Sequence, residues 1–380
     1  MERVYLDNAA STKILPEVLD ELVENYRNCF GNPSSTHREG QKAKKSLENS
    51  REVIAGLLGV EGKEIIFTSG GAEGNNLVLK GAAEAYSYKG KHIITSNIEH
   101  PTVLNTCIEL EEAGYEITYL NVDSDGVVNL EELKNSLRKD TIIVSIMSAN
   151  NETGVVQPIN EIGRILSKTA IFFHVDAVQT MGKDIFYPKE NRISAFTASS
   201  HKFYGPKGTG FIFLDKNFLL KKQITGGHQE RNRRAGTEDV NSIFGMQKAL
   251  EVIYGNIFNE QRHEKKLHDY LEKRLREEIN DITINGEGTK RLNTITNVTI
   301  KGCDVQTLMV ALDLRGIYIS AGSACMSGAF LESNVLKAMH LSKEDLRSTI
   351  RISMGRYNTE NDIDIFMENL KEIVKIERGE

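Results

Sequence analysis

One lysine of this chain sits in a setting unlike that of an ordinary surface charge. It lies in Ser199-Ser200-His201-Lys202-Phe203-Tyr204-Gly205-Pro206-Lys207-Gly208, just past the apolar run Ile193 to Ala198. An amine at the end of a buried strand, among small residues and glycines, is desolvated and therefore nucleophilic, which suits Schiff-base formation with a carbonyl-bearing cofactor. Taken alone, Lys202 also fits the ordinary reading of a solvated side chain. Asp176 ends a second apolar run, Ile171-Phe172-Phe173-His174-Val175, and Gln179 comes three residues later. A carboxylate at a buried strand end is costly without a positive partner. A protonated ring nitrogen would be such a partner, with Gln179 hydrogen-bonded to a ring hydroxyl. An Asp here can also cap a following helix, so the residue alone leaves both roles open.

Three further places carry chemistry. Thr68-Ser69-Gly70-Gly71-Ala72-Glu73-Gly74-Asn75-Asn76 passes from strand to helix through paired glycines, and exposed N–H groups at such a helix start bind phosphate. Gly71 and Ala72 are the expected contacts, although glycine turns before helices are common. His100, in Ile98-Glu99-His100-Pro101, is pushed toward extended backbone by the proline. It could stack on a ring and carry a proton near neutral pH, or be a structural histidine. Cys325 lies in Ser320-Ala321-Gly322-Ser323-Ala324-Cys325-Met326-Ser327-Gly328. A lone cysteine is usually a packed core residue, but this run offers few large apolar neighbours. A thiolate that attacks sulfur has to be accessible as well as ionised.

The elements that must hold these residues follow from the apolar rhythm. Ile65 to Thr68, Ile93 to Thr95, Ile117 to Leu120, Ile142 to Met147 and Ile171 to Val175 read as short strands, with helices predicted over Ala72 to Tyr86 and Thr102 to Ala113. Strands alternating with helices imply a mostly parallel buried sheet flanked by helices, with ligands beyond the carboxyl ends of the strands. The rhythm changes after about Asn256. An amphipathic helix over 258–280, strands at Thr294 to Ile300 and Ile317 to Ser320, a helix at Val305 to Leu314 and a closing helix capped by Thr359 suggest a smaller α+β domain. The expected division is an α/β domain over 15–257 and a small domain combining 1–14 with 258–380.

Composition excludes several classes. A net charge of −6 with no isolated basic block argues against direct nucleic-acid binding. No segment has the roughly 20 apolar residues of a membrane helix, and the N-terminus has no apolar stretch of signal-peptide length. The 4 cysteines, Cys29, Cys107, Cys303 and Cys325, form no CxxC pair, which favours a reduced, cytoplasmic setting over a disulfide framework or zinc site. No GxxxxGK[ST], GxGxxG or HExxH motif is present, which leaves nucleotide and zinc-hydrolase readings without their motifs.

Read together, the motifs resemble those of the cysteine desulfurases of the NifS/IscS group, within the class V aminotransferases of fold type I. The resemblance runs nearly end to end. It rests on Tyr5-Leu6-Asp7-Asn8-Ala9-Ala10, Gly31-Asn32-Pro33-Ser34-Ser35-Thr36-His37, Asn150-Asn151-Glu152-Thr153-Gly154 and His174-Val175-Asp176-Ala177-Val178-Gln179. The Ser-His-Lys segment at Lys202, Arg233-Arg234-Ala235-Gly236-Thr237, Gly322-Ser323-Ala324-Cys325 and Ile350-Arg351-Ile352-Ser353 complete it in the family order. The resemblance implies pyridoxal 5'-phosphate (PLP) as cofactor and conversion of L-cysteine to L-alanine, with sulfur left as a persulfide on Cys325. By the same resemblance Lys202 joins the cofactor, Asp176 pairs with its ring nitrogen, and His100 stacks on the ring as acid–base. Ser199 and His201 are expected on the phosphate, with Thr237 reaching it from the other subunit of a homodimer. Asn151 and Arg351 are expected on the substrate carboxylate, which an arginine fork binds bidentately.

The implied partner is a sulfur-acceptor protein, such as an iron–sulfur scaffold or a tRNA-thiolation enzyme. No resident metal is expected, and a transient iron–sulfur ligand role for Cys325 is left open. Selenocysteine cleavage, another reaction of the class V group, or a non-catalytic partner-binding protein are the alternatives. The chain departs from the family at Ala72, where many members carry Thr, and at Leu331-Glu332-Ser333-Asn334, where relatives often read Glu-Pro-Ser-His.

Overall fold

The computed structural model describes residues 3–321 and 332–380. Cys325 and the other residues of 322–331 lie outside the described residues. The chain begins with β1 (Val4–Tyr5) and the helices α1 (Pro16–Asn28) and α2 (Arg38–Leu57). Alternation then sets in with β2 (Ile65–Thr68), α3 (Gly71–Ala85), β3 (His92–Ser96), α4 (Pro101–Glu112), β4 (Glu116–Leu120) and α5 (Leu130–Ser136). It continues through β5 (Thr141–Ser145), α6 (Ile159–Leu166), β6 (Phe172–Asp176), β7 (Ala195–Ser199) and β8 (Gly210–Leu214). A single turn, α7 (Gln229–Asn232), precedes α8 (Val240–Tyr254) and α9 (Ile257–Glu278). The remainder is β9 (Ile282–Ile284), β10 (Ile295–Ile300), α10 (Val305–Leu314), β11 (Ile317–Tyr318), α11 (Asn334–Ala338), α12 (Lys343–Arg347), β12 (Thr349–Ser353) and α13 (Glu360–Arg378).

Seven strands form the large sheet in the order β2-β8-β7-β6-β5-β3-β4. Those from β7 to β4 are parallel, whereas β8 runs antiparallel to both of its neighbours. Every residue of β3, β5, β7 and β8 is buried, as strands covered on both faces must be. One face packs on Val18 of α1, Leu47 and Ile54 of α2 and Met246 of α8. The other packs on Leu77 and Val78 of α3 and Val103 and Cys107 of α4. This is the mostly parallel, helix-flanked sheet that the apolar rhythm implies. The apolar run of β8 carries no mark of strand direction, so its antiparallel return adds to that expectation.

The later elements build a three-stranded antiparallel sheet, β12-β10-β9. The N-terminal strand does not join the large sheet. β1 pairs parallel with β11, and Val4 and Leu6 share a core with Leu267, Ile350 and Phe366. Asp7 then bridges to Ser353, and Thr12 bonds His201 O through both its N–H (2.9 Å) and its Oγ1 (3.0 Å). The stretch from Asp7 to Thr12 is thereby laid across the carboxyl ends of the large sheet. Thr359 caps α13 in a reciprocal capping box with Asp362.

Candidate active site

Strand β7 runs into a 3-10 turn, Ser200–Lys202, which swings Lys202 beyond the sheet. Its Nζ donates to the carbonyls of Ala9 (2.6 Å) and Ala10 (2.9 Å), both on the crossing N-terminal stretch. Burial pushes the amine down to about 7, helped by the positive charges of Lys183 and Arg351 and opposed by Asp7 and Asp176. A lysine in this state is partly neutral near neutral pH, as a nucleophilic amine must be.

Asp176 ends β6, the strand beside β7, with Asp176 opposite Thr197. Its carboxylate is buried and accepts from Asn75 Nδ2 (2.7 Å) and the Val178 N–H (3.0 Å). Turns follow it rather than a helix, so helix capping is not its role. It makes no ion pair among the described residues, and a buried carboxylate of this kind suits a cationic ring nitrogen. Asn75 Nδ2 also donates to Thr102 Oγ1 (2.9 Å), which lies 2.9 Å from His100 Nδ1. The Thr102 N–H donates to the same Nδ1 (3.2 Å). A backbone N–H can only donate, so Nδ1 is the acceptor and neutral His100 carries its proton on Nε2. Its dry surroundings, with Lys202, lower its pKa, and Asp176 opposes them. Asn75 and Thr102 thus link Asp176 to His100, and no motif separated them from the helix residues around them.

A cavity of about 470 Å³ opens beside these groups, lined among others by Gly70, Gly71, Ala72, Ser199 and His201. Gly70 has φ 142°, and α3 begins directly after it with no side-chain cap. A Cβ on Gly71 would stand 3.0 Å from Val178 Cγ2. The helix start is therefore narrow, and its first N–H groups are left for an anion. Burial, with Lys202 and Lys207, pushes His201 down to about 4. Neutral at pH 7, its ring can still donate one hydrogen bond to a phosphate. Thr237 is exposed and does not line this cavity.

Arg351 lies in β12 and is buried. Its Nη1 donates to Asn151 O (2.8 Å) and its Nη2 to Asp7 Oδ1 (2.8 Å), while Nε has no partner among the described residues. Asn151 and Arg351 are brought together, but through the Asn151 carbonyl, and part of the guanidinium fork is already held by Asp7. Gln179 Nε2 donates to Ala9 O (3.0 Å). The role of Asp7 and of the Ala9 and Ala10 carbonyls joins residues far apart in the chain, which spacing alone does not reveal. Cys325, expected as the sulfur acceptor, is outside the described residues. Among those described, no cluster of His, Cys, Asp or Glu could hold a metal ion, and no helix is long and apolar enough to cross a membrane.

A site with a dry amine, an unpaired carboxylate one strand away and a glycine cradle fits a ligand that brings a carbonyl, a ring nitrogen and a phosphate together. PLP has all three, so fold and site define an α/β enzyme of the PLP-dependent class. The class-V aminotransferase family matches residues 4–366. A cysteine desulfurase IscS of Dictyoglomus turgidum is 42% identical over 98% of this chain and 94% of its own length. One of Methanosarcina thermophila is 44% identical over 98% and 92%. Among solved structures, a NifS-like protein superposes with a TM-score of 0.93 at 37% identity, covering 99% of this chain and all (100%) of the other. SspA, solved in complex with cysteine, reaches 0.84 at 35% identity over 94% and 100%. The chain belongs to the class-V aminotransferase family and stands within it among the cysteine desulfurases; its cofactor is PLP.

Proposed function

We propose that this enzyme converts L-cysteine to L-alanine and passes the sulfur to Cys325 Sγ as a persulfide, with Lys202, Asp176 and His100 at the cofactor. The observation that carries this reading is the placement of Asp176 at the end of one strand and Lys202 just past the end of its neighbour, with Asp176 tied through Asn75 to the helix that starts at the glycine cradle. Bound PLP supplies an electron sink for the electrons released at the substrate Cα. Lys202 Nζ, partly neutral near pH 7, holds the cofactor and then takes the Cα proton. Asp176 keeps the ring nitrogen protonated. His100 presents Nε2–H for proton movement, its tautomer set by Thr102.

Gly71, Ala72, Ser199 and His201 bind the phosphate, and Gln179 the ring oxygen. Arg351 and Asn151 orient the substrate carboxylate; an Arg351 Nε without a partner among the described residues supports this. The overall balance is closed: the substrate C–S bond breaks, an S–S bond forms at Cys325, and the thiol proton is used to complete alanine.

The same proposal includes a homodimer, in which Thr237 serves the partner's phosphate site. It also includes a cytoplasmic, reducing setting and a protein acceptor for the sulfur, in iron–sulfur assembly or thiolation. The division into 15–257 and 1–14 with 258–380 belongs to it too; the β1–β11 pairing supports that division. The decisive test follows absorbance of purified protein before and after cysteine addition, with alanine assayed. Cys325→Ser is expected to bind PLP and respond spectrally to cysteine, yet release no alanine. Normal alanine release by that variant would move the sulfur acceptor to another residue.

A further inference from the structure

Beneath the cofactor site lies a lysine that no motif singles out. Lys183 follows β6 by one turn, and its Nζ donates to Gln179 O (2.9 Å) and Gln179 Oε1 (3.1 Å). Gln179 is buried, and its Nε2 donates to Ala9 O at 3.0 Å. The same carbonyl accepts from Lys202 Nζ at 2.6 Å. Gln179 and Lys202 therefore meet at one backbone oxygen, and Lys183 joins them through the Gln179 side chain.

The chemistry of this chain of contacts is one-directional. An ammonium group has donors and no acceptor, so the Gln179 oxygen must face Lys183. The amide N–H groups must then face the other way, toward Ala9 and the pocket. One of them is used by Ala9 O, and the second takes no protein acceptor among the described residues. The Ala9 carbonyl, an acceptor only, holds the amide in the same sense from its nitrogen end, and Lys183 holds it from the oxygen end; without Lys183 one of the two holds is lost and the amide reorients more readily. The surroundings lower the Lys183 pKa to about 8, which still leaves the amine mostly protonated near pH 7. Burial, together with Arg351, disfavours its ammonium form, while the buried carboxyl of Glu264 on α9 supports it.

We propose that Lys183 is a positioning residue that locks the Gln179 amide with its N–H directed at the cofactor's ring oxygen. This rests on the reading of the cavity as the PLP site with Gln179 beside the ring. A donor fixed there favours the ionised ring oxygen, whereas a rotated amide would present its own oxygen and favour the protonated one.

The protonation of the ring oxygen sets the balance between the visible and near-ultraviolet bands of bound PLP, so the spectrum reads the Gln179 orientation directly. Lys183→Met keeps the length and removes the donor. It is expected to change the band ratio and, in a Lys202→Ala background where binding is reversible, to weaken PLP by roughly 3- to 10-fold, the scale of one hydrogen bond. Lys183→Arg, which keeps a cationic donor, should restore the ratio. Gln179→Leu should give a similar change, and most of the Lys183→Met effect should vanish in that background.

A purely structural lysine would lower thermal stability and leave the band ratio alone. An unchanged ratio in Lys183→Met, or a change of full size in the Gln179→Leu background, overturns the proposal. Should Lys183→Met be insoluble, Lys183→Gln is measured in the same way with the same two outcomes. Wild-type protein separates the two readings. If it takes up no PLP, the site assignment fails, whereas normal uptake with unresponsive variants sinks only the role of Lys183.

Discussion

At the scale of single residues, the state of Lys202 is set by its surroundings more than by its type. Burial is the largest influence on Lys202, and the charges of Lys183 and Arg351 act in the same direction. The folded amine loses its proton at about 7, against 10.5 for an ordinary lysine. The sign follows: as pH rises from about 6 to about 8, Lys202 becomes neutral while surface lysines stay charged. Cofactor-free protein treated with limiting acylating reagent should therefore label Lys202 with a midpoint near 7, read by peptide mass spectrometry. A midpoint near 10 would show that the pocket does not activate this amine. His100 illustrates the same principle with geometry instead of burial, because a single backbone N–H at Nδ1 decides which nitrogen carries the proton.

At the scale of elements, the turn α7 shows how local strain is held. Glu230, Arg231 and Asn232 all have positive φ, at 45°, 55° and 64°, a region costly for residues other than glycine. What holds them is the buried Glu230 carboxylate, which accepts from Arg51 Nη1 (2.7 Å), Arg51 Nη2 (2.9 Å) and the Phe67 N–H (2.8 Å). Glu230→Ala leaves the buried Arg51 with the more exposed Glu48 as its ion-pair partner among the described residues and the Ile65 carbonyl as a neutral acceptor. A loss of about 3–5 kcal/mol in unfolding free energy is expected, measured by urea denaturation at constant slope; a loss below about 1 kcal/mol would mean that Arg51 finds water or Glu48 at little cost. Such a device is hardly visible in sequence, because Arg51 and Glu230 lie 179 residues apart. Strands β2, β3, β5 and β6 were legible because residues buried on both faces leave unbroken apolar runs, whereas the equally buried β8 and β12 were not among the expected strands; helix ends fell within a residue or two at Pro101–Glu112 and Ile257–Glu278. Lys202 and Asp176 were legible as polar residues ending such runs. The contacts of Asp7 with Arg351, of Asn75 with Asp176 and of Lys183 with Gln179 depend on tertiary register, or on which way a side chain turns.

At the scale of the whole molecule, the site of one chain looks incomplete in a particular way. Thr237, expected on the phosphate, is exposed and absent from the lining of its own chain's cavity. Arg234 of the same segment is tied to Glu73 at the start of α3 (2.8 Å), which holds the segment beside the cradle without bringing Thr237 into it. A second copy that supplies Thr237 would resolve this, and the exposed apolar residues Leu19, Val23 and Tyr26 of α1, with Phe30 just past its end and 74% exposed, are surface that such a dimer could cover. Subunit mixing tests the idea. Thr237→Ala protein has the lysine but lacks the hydroxyl, and Lys202→Ala protein has the hydroxyl but lacks the lysine. If Thr237 acts across the interface, a mixed dimer holds one complete site, because the Lys202-bearing cavity receives Thr237 from the other chain. Mixed samples, allowed to exchange and titrated with PLP, should then show a covalently bound fraction with wild-type affinity that neither parent shows. If Thr237 acts within its own chain, every Lys202-bearing cavity in the mixture still lacks the hydroxyl and the affinity stays at that of Thr237→Ala. A 42.5 kDa mass for the free protein in sedimentation would exclude the exchange outright, and with it the shared site.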